Sequence, residues 1–158
     1  MTGRHPIHTG MACGALLGQQ RLALPLRFKL LPEMLQLAGY QTFMSGKWHL
    51  GFFSIEHMPS RRGFEKFYGF LTGKLDYFRH SDDEYNCPGH ELFNKAGAPL
   101  PPFTCAHSGT FPNTTDFAGL DLYDNETLDR GQAGRYNTEL WTTKAIEMLS
   151  GRNGKHLR

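Results

Sequence analysis

Lys47 and His49 are the two residues whose types and spacing most directly permit chemistry. They lie in Gly46-Lys47-Trp48-His49-Leu50-Gly51. In an extended chain, successive side chains alternate between faces. Lys47 and His49 then share one face, and Trp48 and Leu50 anchor the other. Lysine brings a point charge with three donors. Histidine brings a donor or an acceptor near neutral pH. Such a pair suits a tetrahedral oxyanion together with the group that attacks it. The flanking glycines admit a ligand or a second backbone at close range. The tetrapeptide by itself favours a blander reading, an exposed strand face with two ordinary polar residues.

The surrounding elements have to place that pair. Lys29 to Gly39 reads as a helix: Pro32 suits its first turn, Leu31, Met34, Leu35 and Ala38 form a stripe, and Gly39 is a natural stop. Tyr40 to Ser45 reads as a short strand. One helix–strand unit of this kind points to the α/β class. Pro59 to Gly73 is rich in glycine and aromatic residues. From about Ser81 to Ala118 the chain is proline-rich, with no sustained periodicity. A second helix is expected from Asn137 or Thr138 to Ser150, with Leu140, Trp141, Ala145, Met148 and Leu149 on its apolar stripe. No internal repeat is visible.

Composition narrows the function classes. The chain has 158 residues, 39% of them apolar, with 18 glycines and 9 prolines. That is the size of one domain, and its many turns speak against a helical bundle. A net charge of +2 with no basic block leaves no footprint for nucleic acid. No apolar run approaches the roughly 18 residues of a helical membrane span. Met1 to Gly10 is polar and does not read as a secretory signal. Asn113-Thr114-Thr115 and Asn125-Glu126-Thr127 are glycosylation sequons. Cys13, Cys87 and Cys105 match no zinc spacing. Cys87 and Cys105 bracket the long loop, and a bridge between them would tie it down.

Read in order, several segments resemble the sulfatase family. Met1-Thr2-Gly3-Arg4 with Pro6-Ile7-His8-Thr9-Gly10 resembles the tail of its first signature, C-x-P-S-R-x-x-L-[LM]-T-G-R. Gly46 to Gly51 is similar to the second, G-K-W-H-L-G. Lys29 to Tyr40, Pro59-Ser60-Arg61-Arg62-Gly63-Phe64, Phe67-Tyr68-Gly69, Leu71-Thr72-Gly73 and Asp76-Tyr77 resemble the family's intervening and following segments. Gly119-Leu120-Asp121-Leu122 and Arg135-Tyr136-Asn137-Thr138-Glu139-Leu140 resemble later ones. The likeness is greatest to arylsulfatases of the B type, and residues about 78–118 depart from it.

The resemblance implies an α/β sandwich of the alkaline-phosphatase-like kind, present here in part, with residues 1–158 a fragment of the catalytic domain. It implies a sulfuric ester hydrolase acting on a sulfated small molecule or glycan, with calcium as cofactor and a lysosomal or secreted location. Lys47 would contact the sulfate and the nucleophile, and His49 would hydrogen-bond the nucleophile's hydroxyl. The family's nucleophile is a formylglycine made from the first signature's cysteine, whose place falls ahead of Met1. Cys13 does not replace it, because no proline–serine–arginine follows. The calcium ligands are expected outside this chain, so the chain alone is expected to be inactive. A truncated, non-catalytic binding or regulatory module is the rival from another class. Gln19, Ala23 and His57 stand where family members carry cysteines. Cys87 and Cys105 match the family's loop bridge, with two free thiols as the alternative. Among other residues, Arg61 and Arg62 read as a solvated turn or a structural ion pair. Asp82, Asp83 and Glu84 read as a solvated acidic run, His107 as exposed, and Phe67, Tyr68 and Tyr77 as core.

Overall fold

The structure is a computed structural model that describes residues 1–12, 14–17, 20–82 and 119–151. Cys13, Cys87, Cys105, His107 and Asn113, with Asp83 and Glu84, lie outside the described residues. A four-stranded mixed sheet runs in the order β1 (Phe43–Lys47), β2 (Lys66–Phe70), β5 (Tyr123–Asp124), β6 (Thr127–Leu128). β1 and β2 are parallel, with Gly46 opposite Gly69, and the remaining pairings are antiparallel. A smaller antiparallel pair joins β3 (Ser81–Asp82) to β4 (Gly119–Leu120).

Two helices flank the sheet region, α1 (Leu31–Leu37) and α2 (Asn137–Ser150). Strand alternation feeds two apolar clusters. Met44 and Phe67 pack with Trp48, Leu24, Leu30, Met58 and Leu71. Phe43 and Tyr68 pack with Leu122, Leu140 and Met148 of the other layer. α2 closes that second layer: Trp141 stacks on Phe70 at 5.5 Å, and its carbonyl accepts from Ser45 Oγ at 2.9 Å. Gly69 lies so close to β1 that a methyl group built there would overlap the Gly46 carbonyl, which is why no side chain fits at this crossing.

Several expectations shift. The first strand starts at Phe43 and ends on Lys47, because its register is set by pairing to β2. The α1 stripe is largely outside: Leu31 and Met34 are exposed, while Pro32 is buried and Leu35 half-buried. Gly39 does end that helix, at φ 85°. Phe67 and Tyr68 are core, but Tyr77 is exposed, its ring tilted at 49° against Tyr136. Asp82 is buried, not solvated, because β3 pairing turns it inward.

Candidate functional site

The end of β1 and the turn after β2 build the site together. Beyond Lys47 the two chains stay hydrogen-bonded: Trp48 N–H donates to Phe70 O at 2.9 Å, and His49 N–H to Leu71 O at 3.1 Å. Trp48 is buried, and its indole donates to Gly51 O at 3.0 Å. That bond folds the chain back. His49 takes φ 51° and Gly51 φ 86°, so extended alternation stops at Lys47. The expectation that strand pleating alone puts Lys47 and His49 on one face is therefore corrected. What ties them is a shared neighbour, the Leu71-Thr72-Gly73 turn.

Lys47 is exposed, and its ammonium donates to Gly73 O at 2.5 Å. An ammonium has three donors, so two stay available for an anion. His49 is half-buried, and its Nε2 meets Leu16 O at 2.9 Å. A carbonyl only accepts, so Nε2 carries a hydrogen, and Nδ1 is the ring nitrogen left to face a ligand. His49, Leu71 and Thr72 line a small open recess together with Leu16 and Gln20.

Asp121, which sequence reasoning did not single out, supports this turn from below. It is 2% exposed. Its carboxylate accepts from Leu71 N–H (3.0 Å), Thr72 N–H (2.9 Å) and Thr72 Oγ1 (2.5 Å). Burial pushes its pKa up to about 6, against the lowering by these donors, and nearby Asp82 adds to the rise. A single acid between Leu120 and Leu122 was the available signal, since a charge in an apolar run needs partners. His80 was also missed. It is fully buried at φ 57°, its Nε2 donates to Arg135 O at 2.9 Å, and its Nδ1 has no partner among the described residues. Burial lowers its pKa.

The arginine pair divides. Arg62 is buried, pairs with Glu33 at 3.1 Å, and donates to Leu24 O and Phe28 O. Leu24 N–H in turn donates to Leu50 O at 2.8 Å, so this pair braces the turn that carries His49. Arg61 stays at the surface, forked on Glu126. Asn125 opens the two-residue turn between β5 and β6 at φ 55°, and its Oδ1 accepts from Phe67 N–H at 2.9 Å. Among the described residues, no three His, Cys, Asp or Glu side chains gather as a metal site requires. These residues do not fit calcium.

The sulfatase family model matches residues 1–157. This chain belongs to the sulfatase family. It is similar to arylsulfatase J of Mus musculus, 33% identical over 151 residues, which is 95% of this chain and 20% of that protein. It is 41% identical over 70 residues to arylsulfatase A of Homo sapiens, covering 44% of this chain and 14% of that one. The crystal structure of Ps i-CgsB in complex with k-i-k-neocarrahexaose superposes with a TM-score of 0.67 at 26% identity, over 99% of this chain and 30% of that one. The sulfatase chain thus spans about a fifth of arylsulfatase J and under a third of that structure. Its sheet and helices form part of the alkaline-phosphatase-like α/β fold. No helix among the described residues is long and apolar enough to cross a membrane.

Proposed function

We propose that this chain carries the lysine–histidine part of the anion site of a sulfuric ester hydrolase. The observation that carries the reading is that the Lys47 ammonium and the His49 backbone both bond to the Leu71–Gly73 turn, while the His49 ring lines the small recess beside that turn. Two ammonium hydrogens of Lys47 hold sulfate oxygens. His49, with Nε2 fixed on Leu16 O, presents Nδ1 to the hydroxyl of the attacking group and keeps it oriented. The nucleophile is a formylglycine, as the first-signature resemblance implies, and calcium is held by residues other than those described here. The described residues therefore bind and orient, and the chain by itself turns over no sulfate ester.

The substrate class is a sulfated small molecule or glycan. The subtype nearest in sequence pattern is the arylsulfatase B type. The neighbouring structure's bound neocarrahexaose supports an oligosaccharide among the candidates. The protein belongs to the secretory pathway, lysosomal or secreted, with glycans on Asn113 and Asn125. A glycan consumes only one Nδ2 hydrogen, so Asn125 keeps its Oδ1 bond to Phe67. The loop bridge Cys87–Cys105 goes with that oxidising route.

Calorimetric titration of the chain with a chromogenic aryl sulfate tests the reading. Saturable binding that Lys47→Ala abolishes and His49→Ala weakens is expected, with no chromophore release. Binding indifferent to Lys47→Ala refutes the anion site, and turnover above background refutes the inactivity.

A further inference from the structure

Beneath the anion site lies a buried pair that its proposed chemistry does not use. Asp121 does not line the recess, though Thr72 does, and together they hold the turn that Lys47 and His49 lean on. Asp121 accepts from both turn amides, Leu71 and Thr72, and from the Thr72 hydroxyl. The carbonyls of that same turn take His49 N–H and the Lys47 ammonium. Displacing the turn displaces both anion-binding groups at once.

The Thr72 hydroxyl has one hydrogen but two acceptors in reach, Asp121 Oδ2 at 2.5 Å and Lys74 O at 2.9 Å. With Asp121 ionised, the hydroxyl donates to the carboxylate. With Asp121 protonated, the new acid O–H donates to Thr72 Oγ1, and the hydroxyl hydrogen turns to Lys74 O. Both states leave every polar atom of the pair satisfied, which a buried carboxyl otherwise achieves in only one.

We propose that Asp121, acting through Thr72, is the positioning residue of the anion site and keeps the Leu71–Gly73 turn in place in both of its protonation states. The inference rests on the anion-site reading of Lys47 and His49. Asp82 on β3 opposes its ionisation, and Tyr123 on β5 is half-buried near it. The His80 carbonyl accepts from Asp121 N–H at 2.8 Å and fixes its backbone. Because burial brings the carboxyl's titration to about 6, both states matter in mildly acidic and in neutral solution.

The test titrates isotope-labelled chain with inorganic sulfate at about pH 5 and pH 7.5, following the Leu71 and Thr72 amide resonances. Wild type binds at both pH values, and its two amides move through an inflection near 6. Thr72→Ser keeps the hydroxyl and stays within about twofold of wild type. Thr72→Val has the same shape without the hydroxyl. It weakens sulfate about tenfold, more at the lower pH, where the acid O–H has lost its acceptor. Asp121→Asn weakens sulfate at both pH values and erases the inflection. A wild-type response that Thr72→Val and Asp121→Asn leave unchanged overturns this inference alone. A wild type that takes up no sulfate overturns the anion-site reading, and the positioning role with it. If Asp121→Asn fails to fold, the serine and valine variants still decide.

Discussion

Removing Arg62 tests the bracing of the site against an internal control one residue away. Arg62 is 2% exposed, and its partner Glu33 has a side chain 17% exposed. Arg62→Ala strands the Leu24 and Phe28 carbonyls and leaves Glu33 with only the exposed Lys29 ammonium, 3.9 Å away, as a charge partner. Breaking a buried pair from one side costs about 3–5 kcal/mol. Glu33 keeps its bond from Leu30 N–H and reaches some solvent, so the lower end, about 3 kcal/mol, is expected. Arg61 makes two bonds to Glu126 where Arg62 makes one to Glu33, but the Arg61 and Glu126 side chains are 57% and 31% exposed. Solvent screening leaves Arg61→Ala close to wild type. Urea denaturation followed by circular dichroism reads both. With a slope of roughly 1–3 kcal/mol per molar, the Arg62→Ala midpoint falls by about 1–3 M while that of Arg61→Ala barely moves. Equal shifts for the two variants, or a loss below about 1 kcal/mol for Arg62→Ala, refute the argument from burial.

Gly69→Ala pushes a methyl group into the Gly46 carbonyl and forces β1 away from β2, so a loss above about 2 kcal/mol is expected in thermal unfolding; a neutral substitution contradicts the close crossing. His80 is buried with a pKa lowered from 6.5, so the unfolded chain binds the proton more tightly. Its contribution is present above pH 6.5 and lost as pH falls through the lower folded value; His80→Gln therefore flattens the stability curve below 6.5, and an unchanged curve counts against it. Asn125 combines a left-handed φ with an acceptor for Phe67 N–H. Asn125→Gly keeps the first and loses the second, costing about 1 kcal/mol, and Asn125→Val loses both and costs more; a reversed order in chemical denaturation removes the turn argument. Peptide mass spectrometry of chain made in a secretory host reads Asn113 and Asn125, where attached glycans are expected and two bare asparagines contradict the proposed route.

Local rules carried the sequence reading where local rules decide the outcome. Gly39 stops α1 because a positive φ there costs glycine nothing, and Asn137 to Ser150 runs as α2 with Leu140 and Met148 inward. Pairing decided the rest. β1 extends to Lys47 only because β2 lies alongside it, and no periodicity within residues 40–45 contains that register. His49 leaves the extended region because the Trp48 indole reaches Gly51 O, a contact invisible to side-chain alternation. The α1 stripe has helical spacing yet stays largely at the surface, since spacing names a face without naming what covers it. Asp82 shares this limit: it looks solvated in a sequence and is buried on β3, which pairs with a strand distant in the chain. Lys47 and His49 were legible because their spacing matches a family signature, whereas the carboxylate that steadies their turn lies some 50 positions beyond Leu71.

A crystal structure of the chain soaked with an aryl sulfate measures the account's main claim most directly. Sulfate oxygens within hydrogen-bond distance of the Lys47 ammonium, with the His49 ring at the same anion and the Leu71–Gly73 turn unmoved, are the predicted result. An anion held elsewhere, or an ammonium still closed on Gly73 O with no anion beside it, contradicts the claim.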